Sequence, residues 1–182
     1  MKDRSINGKY ILVAVLAVIG TWIIHEFAHW LTSELLGYES IMRLNGVAPV
    51  EGESPTENHK AIISISGPII TVLQGLVFFL LIQRNQWNKY LYPFLFTAFY
   101  MRFLAGGMNF IEVNDEGRVS EFLGLGTFTL SIVVSVLLFF MVYRVSRKHQ
   151  LHWKFQFWTF LITTLAITLL IFSDAYFRIR LL

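Results

Sequence analysis

The sequence predicts an all-α polytopic membrane protein, with about five transmembrane helices and a place for a short β-hairpin between the first and the second. Three observations predict it. Of the 182 residues, 55% are hydrophobic and only 15% charged, whereas a soluble domain carries roughly 25% charged residues. The apolar residues fall in long blocks, several of which reach the ~20 residues that a helix needs to cross the hydrocarbon core. Trp87, Tyr90, Tyr92, Tyr143, Trp153 and Trp158 gather near the block ends, where amphipathic rings prefer to sit. No internal repeat or low-complexity linker divides the chain, so one membrane-embedded domain over 1–182 is expected.

Taken in order, Met1 to Lys9 is basic and precedes an apolar stretch, as in a signal peptide. It lacks a small-residue cleavage site, and is read as leading into a retained span. The first span runs from Tyr10 to Trp30, with continuation to Leu36, and the second from Ala61 to Ile82. The third runs from Tyr90 to Phe110, the fourth from Phe122 to Tyr143 and the fifth from Phe155 to Phe172. Between the first two, Glu39 to Leu44 and Val47 to Val50 flank Asn45-Gly46, a dipeptide that favours a tight hairpin turn. Pro49 restricts the second arm to an edge strand or an irregular segment. Such an edge beside an active site offers strand addition to an extended substrate; a plain connecting loop is the alternative. Lys2, Arg4, Lys9, Arg84, Lys89, Arg144, Arg147, Lys148 and Lys154 fall on one side of these spans, which predicts a cytoplasmic N-terminus.

The chain has no cysteine, which excludes disulfides, thiolate zinc sites and cysteine nucleophiles together. The formal charge of +3 lies between apolar blocks, so it is read as a topology signal in a lipid bilayer; nucleic acid is not expected as a partner. The sequence sets no oligomeric state.

The chemistry sits near the end of the first span. His25 and His29 are four apart, hence one turn from each other on one helix face. Two imidazoles so placed bind one zinc ion, while Glu26 projects to the side, where it reaches water without ligating the metal. That division of labour is the one a metallopeptidase needs. The bland reading is a polar cluster at a membrane interface. A catalytic zinc takes a third protein ligand and keeps a fourth position open. His59, His149 and His152 qualify by type, but the segment Asn109 to Val119, with Glu112, Asp115 and Glu116, returns to the side on which the first span ends.

These pieces resemble the site-2 protease family of intramembrane zinc metalloproteases. The matching segments are His25-Glu26-Phe27-Ala28-His29, the Asn45-Gly46 region, Ser66-Gly67-Pro68, and Asn109 leading to Asp115-Glu116-Gly117. They cover Tyr10 to Val119, so the resemblance implies a metalloprotease-like core over 10–119, with 120–182 an additional two-helix part. It implies Zn2+ held by His25, His29 and Asp115, Glu26 as general base, and membrane protein substrates. Glu116 and Glu112 are the alternative third ligands. The chain departs from the family pattern in three places. Glu116 separates Asp115 from its glycine, Thr71 stands where an asparagine is common, and the proline-rich run before the aspartate is missing. The family also places its zinc nearer the cytoplasmic face, whereas the charge count puts His29 nearer the other.

Outside the motifs, Arg102 interrupts the third apolar block. A buried arginine seeks a carboxylate or a wet cavity, so it either pairs structurally or orients a substrate carbonyl. Asn109 is read in the same way, as substrate-binding or structural. The competing reading of the whole is a non-catalytic zinc-binding membrane protein that regulates or scaffolds partners. A transporter is disfavoured by the lack of repeated halves.

Overall fold

A computed structural model describes residues 5–84 and 87–182; Lys2 and Arg4 lie outside the described residues. The elements are α1 (Gly8–Leu35), β1 (Ser40–Arg43), β2 (Gly46–Pro49), α2 (Glu57–Arg84), α3 (Tyr92–Met108), α4 (Asp115–Phe122), α5 (Thr129–His149) and α6 (Trp153–Phe177). The chain is an all-α membrane protein with one short hairpin. Four helices, α1, α2, α5 and α6, are long and apolar enough to cross a bilayer. Large apolar side chains such as Leu12, Leu16, Val133, Phe140, Leu169 and Phe172 stand on the outer surface, the arrangement that hydrocarbon around the bundle favours.

The third expected span is different. At 17 residues, α3 is about 25 Å long, shorter than the ~20 residues of a crossing helix. It is the inner helix, packed by α1, α2 and α5, with Leu95 and Ala98 fully buried. About five expected crossings therefore resolve into four helices of crossing length around one shorter inner helix. The expected fourth span, from Phe122, also begins later. Gly124 and Gly126 take positive φ angles of 70° and 80°, which a regular helix does not accommodate. They separate the short α4 from α5.

Local chemistry explains the ends of α1. The Asn7 side chain accepts a hydrogen bond from the Tyr10 amide at 2.9 Å, the usual N-cap arrangement. At the other end Gly37 adopts φ 88° and the Tyr38 amide reaches back to the Ser33 carbonyl at 3.1 Å, which closes the last turn. Tyr10 ties α1 to α6 through its hydroxyl, 2.6 Å from that of Thr159.

The hairpin is docked on the last turns of α1. Ser40 pairs with Pro49 and Arg43 with Gly46, so the turn residues are Leu44-Asn45, one residue earlier than expected. The shift has a cause: Gly46 opens β2 at φ 140°, and the Asn45 side chain accepts from the Trp22 indole at 3.2 Å. The Trp30 indole donates to the Ser40 carbonyl at 3.1 Å. On the other side of β1, residues 179–182 run antiparallel to it. The Met42 amide donates to the Leu182 carbonyl at 3.1 Å, the Leu181 amide to the Met42 carbonyl at 2.8 Å, and the Leu44 amide to the Ile179 carbonyl at 2.9 Å. β2 is therefore the arm with no strand partner on its outer side among the described residues, as Pro49 requires.

Although only residues 150–152 join them, α5 and α6 do not pack along their lengths among the described residues. The space between them belongs to a cavity of about 1310 Å³, walled by Phe139 of α5, Ile167 and Ile171 of α6 and Phe99 of α3. At its polar end lie His25, Glu26, His29, Arg102 and Asp115.

Candidate metal centre

α1 carries two kinds of buried residue on one stripe. Its first half buries Tyr10, Ala14, Ala17 and Val18; its second half buries Thr21, Trp22, His25, Glu26, His29 and Ser33. The 3.6-residue period turns all of them inward.

The imidazoles of His25 and His29 converge through Nε2, 3.1 Å apart. Asp115 is the first residue of α4, and its Oδ2 lies 3.2 Å from His25 Nε2 and 3.4 Å from His29 Nε2. Of the three acidic candidates for third ligand, Asp115 joins the histidines. Glu116, fully buried, turns to Arg102 instead, with Oε1 3.1 Å from Nη1. Successive helical residues point about 100° apart, so the two carboxylates cannot face the same way. Glu112 is exposed on the loop before α4. His59 pairs with the Tyr38 hydroxyl at 2.7 Å, His149 packs on Trp87 and His152 precedes α6; none of these is in the cluster.

The second layer fixes the tautomers. His29 Nδ1 lies 2.6 Å from the Ile63 carbonyl, an acceptor only, so Nδ1 carries the proton and Nε2 a lone pair. His25 Nδ1 lies 3.1 Å from Thr71 Oγ1. The Thr71 hydroxyl already donates to the Gly67 carbonyl at 2.9 Å, so its oxygen accepts from Nδ1–H, and His25 Nε2 is also left with a lone pair. Two ring nitrogens and a carboxylate oxygen thus face one another, and with both imidazoles neutral their Nε2 lone pairs are free to take up a cation. Four tetrahedral ligands at ~2.0–2.1 Å from zinc lie roughly 3.3–3.4 Å from one another, and the three edges here are 3.1, 3.2 and 3.4 Å. The donor set fits a tetrahedral divalent metal with one position left for another ligand.

Two glycines permit this approach. A Cβ on Gly67 would fall 2.7 Å from His25 Nδ1 and nearer still to His25 Cε1 and His29 Nε2. α2 can press against both imidazoles only because residue 67 has no side chain. Pro68 follows, within the same helix, and leaves the Ser64 carbonyl without its usual donor. In the turn just before it, the Ile63 carbonyl accepts from His29 and from the Ser66 hydroxyl. Gly117 plays the corresponding part in α4: a Cβ there would meet Asn109 Oδ1 at 2.6 Å.

Asn109 is structural. Its Oδ1 accepts from the Asn114 amide at 2.7 Å and its Nδ2 donates to Ser131 Oγ at 2.9 Å, which folds 109–114 into the loop that delivers Asp115. Sequence reasoning missed Thr71 as the partner of His25, and Ile63 altogether. Thr71 had a signal, since it occupies the place after Gly-Pro where the resembling family has a side-chain amide. A backbone carbonyl leaves no trace in sequence.

Comparison of the chain with protein-family models, with curated proteins and with solved structures finds no match in any of the three.

Proposed function

We propose that this protein is an intramembrane zinc metalloprotease of the site-2 protease type, hydrolysing peptide bonds of membrane protein substrates at the His25–His29–Asp115 centre. The observation that carries the proposal is the convergence of two Nε2 atoms and one carboxylate oxygen at tetrahedral ligand spacing. Charge supports it as well: four carboxylates, Glu26, Asp115, Glu116 and Asp174, lie in or beside the site against one guanidinium, Arg102, an excess of acid in a low-dielectric interior that favours a cation.

When bound, zinc supplies a Lewis acid that acidifies water and polarises a carbonyl. His25, His29 and Asp115 hold it, and Thr71 and the Ile63 carbonyl orient the imidazoles. Glu26, next to His25 on α1 and on the cavity wall, is outside the ligand set. It takes the proton of the attacking water and gives it to the leaving amine. The cavity is mostly apolar and walled by helices that face lipid, so it suits an apolar segment arriving from the bilayer. A helical segment has its backbone amides bonded internally and must unwind to present one.

The chain is multi-pass with its N-terminus in the cytoplasm. Basic residues gather at one end of the bundle, where Lys89 reaches the Ser5 carbonyl at 2.8 Å and Lys148 the Gln83 carbonyl at 2.6 Å.

The test is metal analysis and cleavage by the purified full chain, beside Glu26→Gln. We expect roughly one zinc per chain in both proteins, and a loss of hydrolysis of about 10²- to 10⁴-fold in the variant. Unchanged hydrolysis by Glu26→Gln removes the protease reading, and a chain that takes up no zinc removes the metal centre as well. A variant and a wild type that both bind zinc and cleave nothing leave a metal-binding scaffold.

A further inference from the structure

Arg102 and Glu116 form a buried pair that the metal ligands do not need. Arg102, on α3, is 3% exposed and Glu116, on α4, is 0% exposed, which makes their ionisation costly without a matched partner. Arg102 Nη1 donates to Glu116 Oε1 at 3.1 Å and lies 3.5 Å from Asp115 Oδ2. Its second terminal nitrogen points elsewhere. Nη2 lies 3.5 Å from His25 Nε2, an atom that a bound metal would take up and that would then no longer serve Nη2 as a hydrogen-bond acceptor. Nη2 has no other acceptor within bonding distance among the described residues, Nε has no partner either, and the side chain stands on the cavity wall with Glu26. A buried cation thus aims an unspent donor at the place beside the metal ligands where a substrate carbonyl would lie.

We infer that Arg102 is a catalytic residue, the hydrogen-bond donor to the scissile carbonyl oxygen, and that Glu116 is the positioning residue that holds it. The inference rests on the peptidase reading above. Water oxygen adds to the carbonyl carbon, and the carbonyl π electrons move onto its oxygen. Arg102 Nη2–H donates to that oxygen while remaining protonated. When the C–N bond breaks, the electron pair returns and the amine leaves with the proton carried by Glu26. The second water proton passes from the new acid to the amine, giving a carboxylate and an ammonium. A preorganised donor aimed at developing negative charge in a water-poor site is among the strongest devices available to an enzyme. The pair also gives Glu116 a purpose: as an extra residue between Asp115 and Gly117, its carboxylate fixes the guanidinium in one rotamer. Nη1, tied to Glu116, is the anchor, and Nη2 is the working end.

The experiment uses the full chain in detergent, loaded with zinc or with cobalt, and compares wild type, Arg102→Gln, Arg102→Lys and Glu116→Gln. The probes are a phosphonamidate dipeptide of two leucines, which is tetrahedral and anionic, and the matching dileucine amide, which is planar and neutral. We expect Arg102→Gln to keep its metal and its cobalt absorption spectrum. Its affinity for the phosphonamidate should fall about 100-fold, against less than about 3-fold for the amide. On a model Leu/Ala transmembrane peptide with a central Gly-Pro, kcat should fall by a similar factor with KM nearly constant. Arg102→Lys should recover part of the loss, and Glu116→Gln should fall between. Loss of metal from Arg102→Gln, or equal weakening of both probes, makes Arg102 a structural counter-charge and overturns the inference. A wild type without metal or phosphonamidate binding overturns the peptidase reading together with it, whereas failure confined to the variants leaves that reading standing.

Discussion

The two halves of α1 share a helix, a face and a period, and differ in what they bury. Toward the N-terminus the stripe is Tyr10, Ala14, Ala17 and Val18, each fully enclosed, and its only side-chain polar contact among the described residues is the hydroxyl pair with Thr159. Toward the C-terminus the same stripe, after Trp22, turns polar with Thr21, His25, Glu26, His29 and Ser33. Apolar burial stabilises without direction, so the first half tolerates changes that keep volume. Ionisable burial is destabilising unless each polar atom finds a specific partner, so the second half depends on where α2, α3 and α4 place theirs. One half is a packing surface and the other a site.

Substitutions that break or sharpen this contrast fall in a clear order. The largest effect is expected at the third ligand: Asp115→Ala should empty the metal site and abolish cleavage, while Glu116→Ala should retain the metal, as elemental analysis of the two purified chains will tell. Gly67→Ala comes next. Its methyl group meets both imidazoles, so the rings or α2 must shift; zinc affinity should drop ~10–100-fold, read by competition with a chelator. Thr71→Val keeps the shape of α2 and removes the acceptor for His25 Nδ1–H. It should weaken zinc by about 10-fold while leaving thermal unfolding in detergent nearly unchanged. The smallest effect belongs to the other half: Tyr10→Phe should cost about 0.5–1.5 kcal/mol of stability with metal content untouched. If Tyr10→Phe lowers zinc as much as Thr71→Val, the two halves are not separable.

What was legible in the sequence follows from the range of the interactions. His25, Glu26 and His29 are set by helical spacing within one turn, and a local pattern is enough to see them. Asp115 is 90 residues from His25; a carboxylate loop returning to the same side was expected, but residue spacing alone left Glu112 and Glu116 in competition. What separates them is where the first turn of α4 begins, and that depends on Asn109 bonding Asn114 and Ser131 across a loop. The crossing helices were legible from apolar length. The late start of α5 was not, because Phe122 to Tyr143 is apolar almost throughout, and two glycines outweigh that uniformity only through their φ angles. The pairing of residues 179–182 with β1 left no mark at all, being set by backbone amides.

That last pairing has a mechanical consequence. α6 is followed by an extended segment stitched to β1, β1 is pinned to α1 by Trp30 and Ser33, and α1 carries the two histidines. Residues 179–182 and the helix of the two histidines are thus one girder joined through four backbone hydrogen bonds. Any tilt that widens the gap beside α5 must either carry the hairpin along, shifting Gly46 and Val47 on the cavity wall, or unzip Ile179 to Leu182 first.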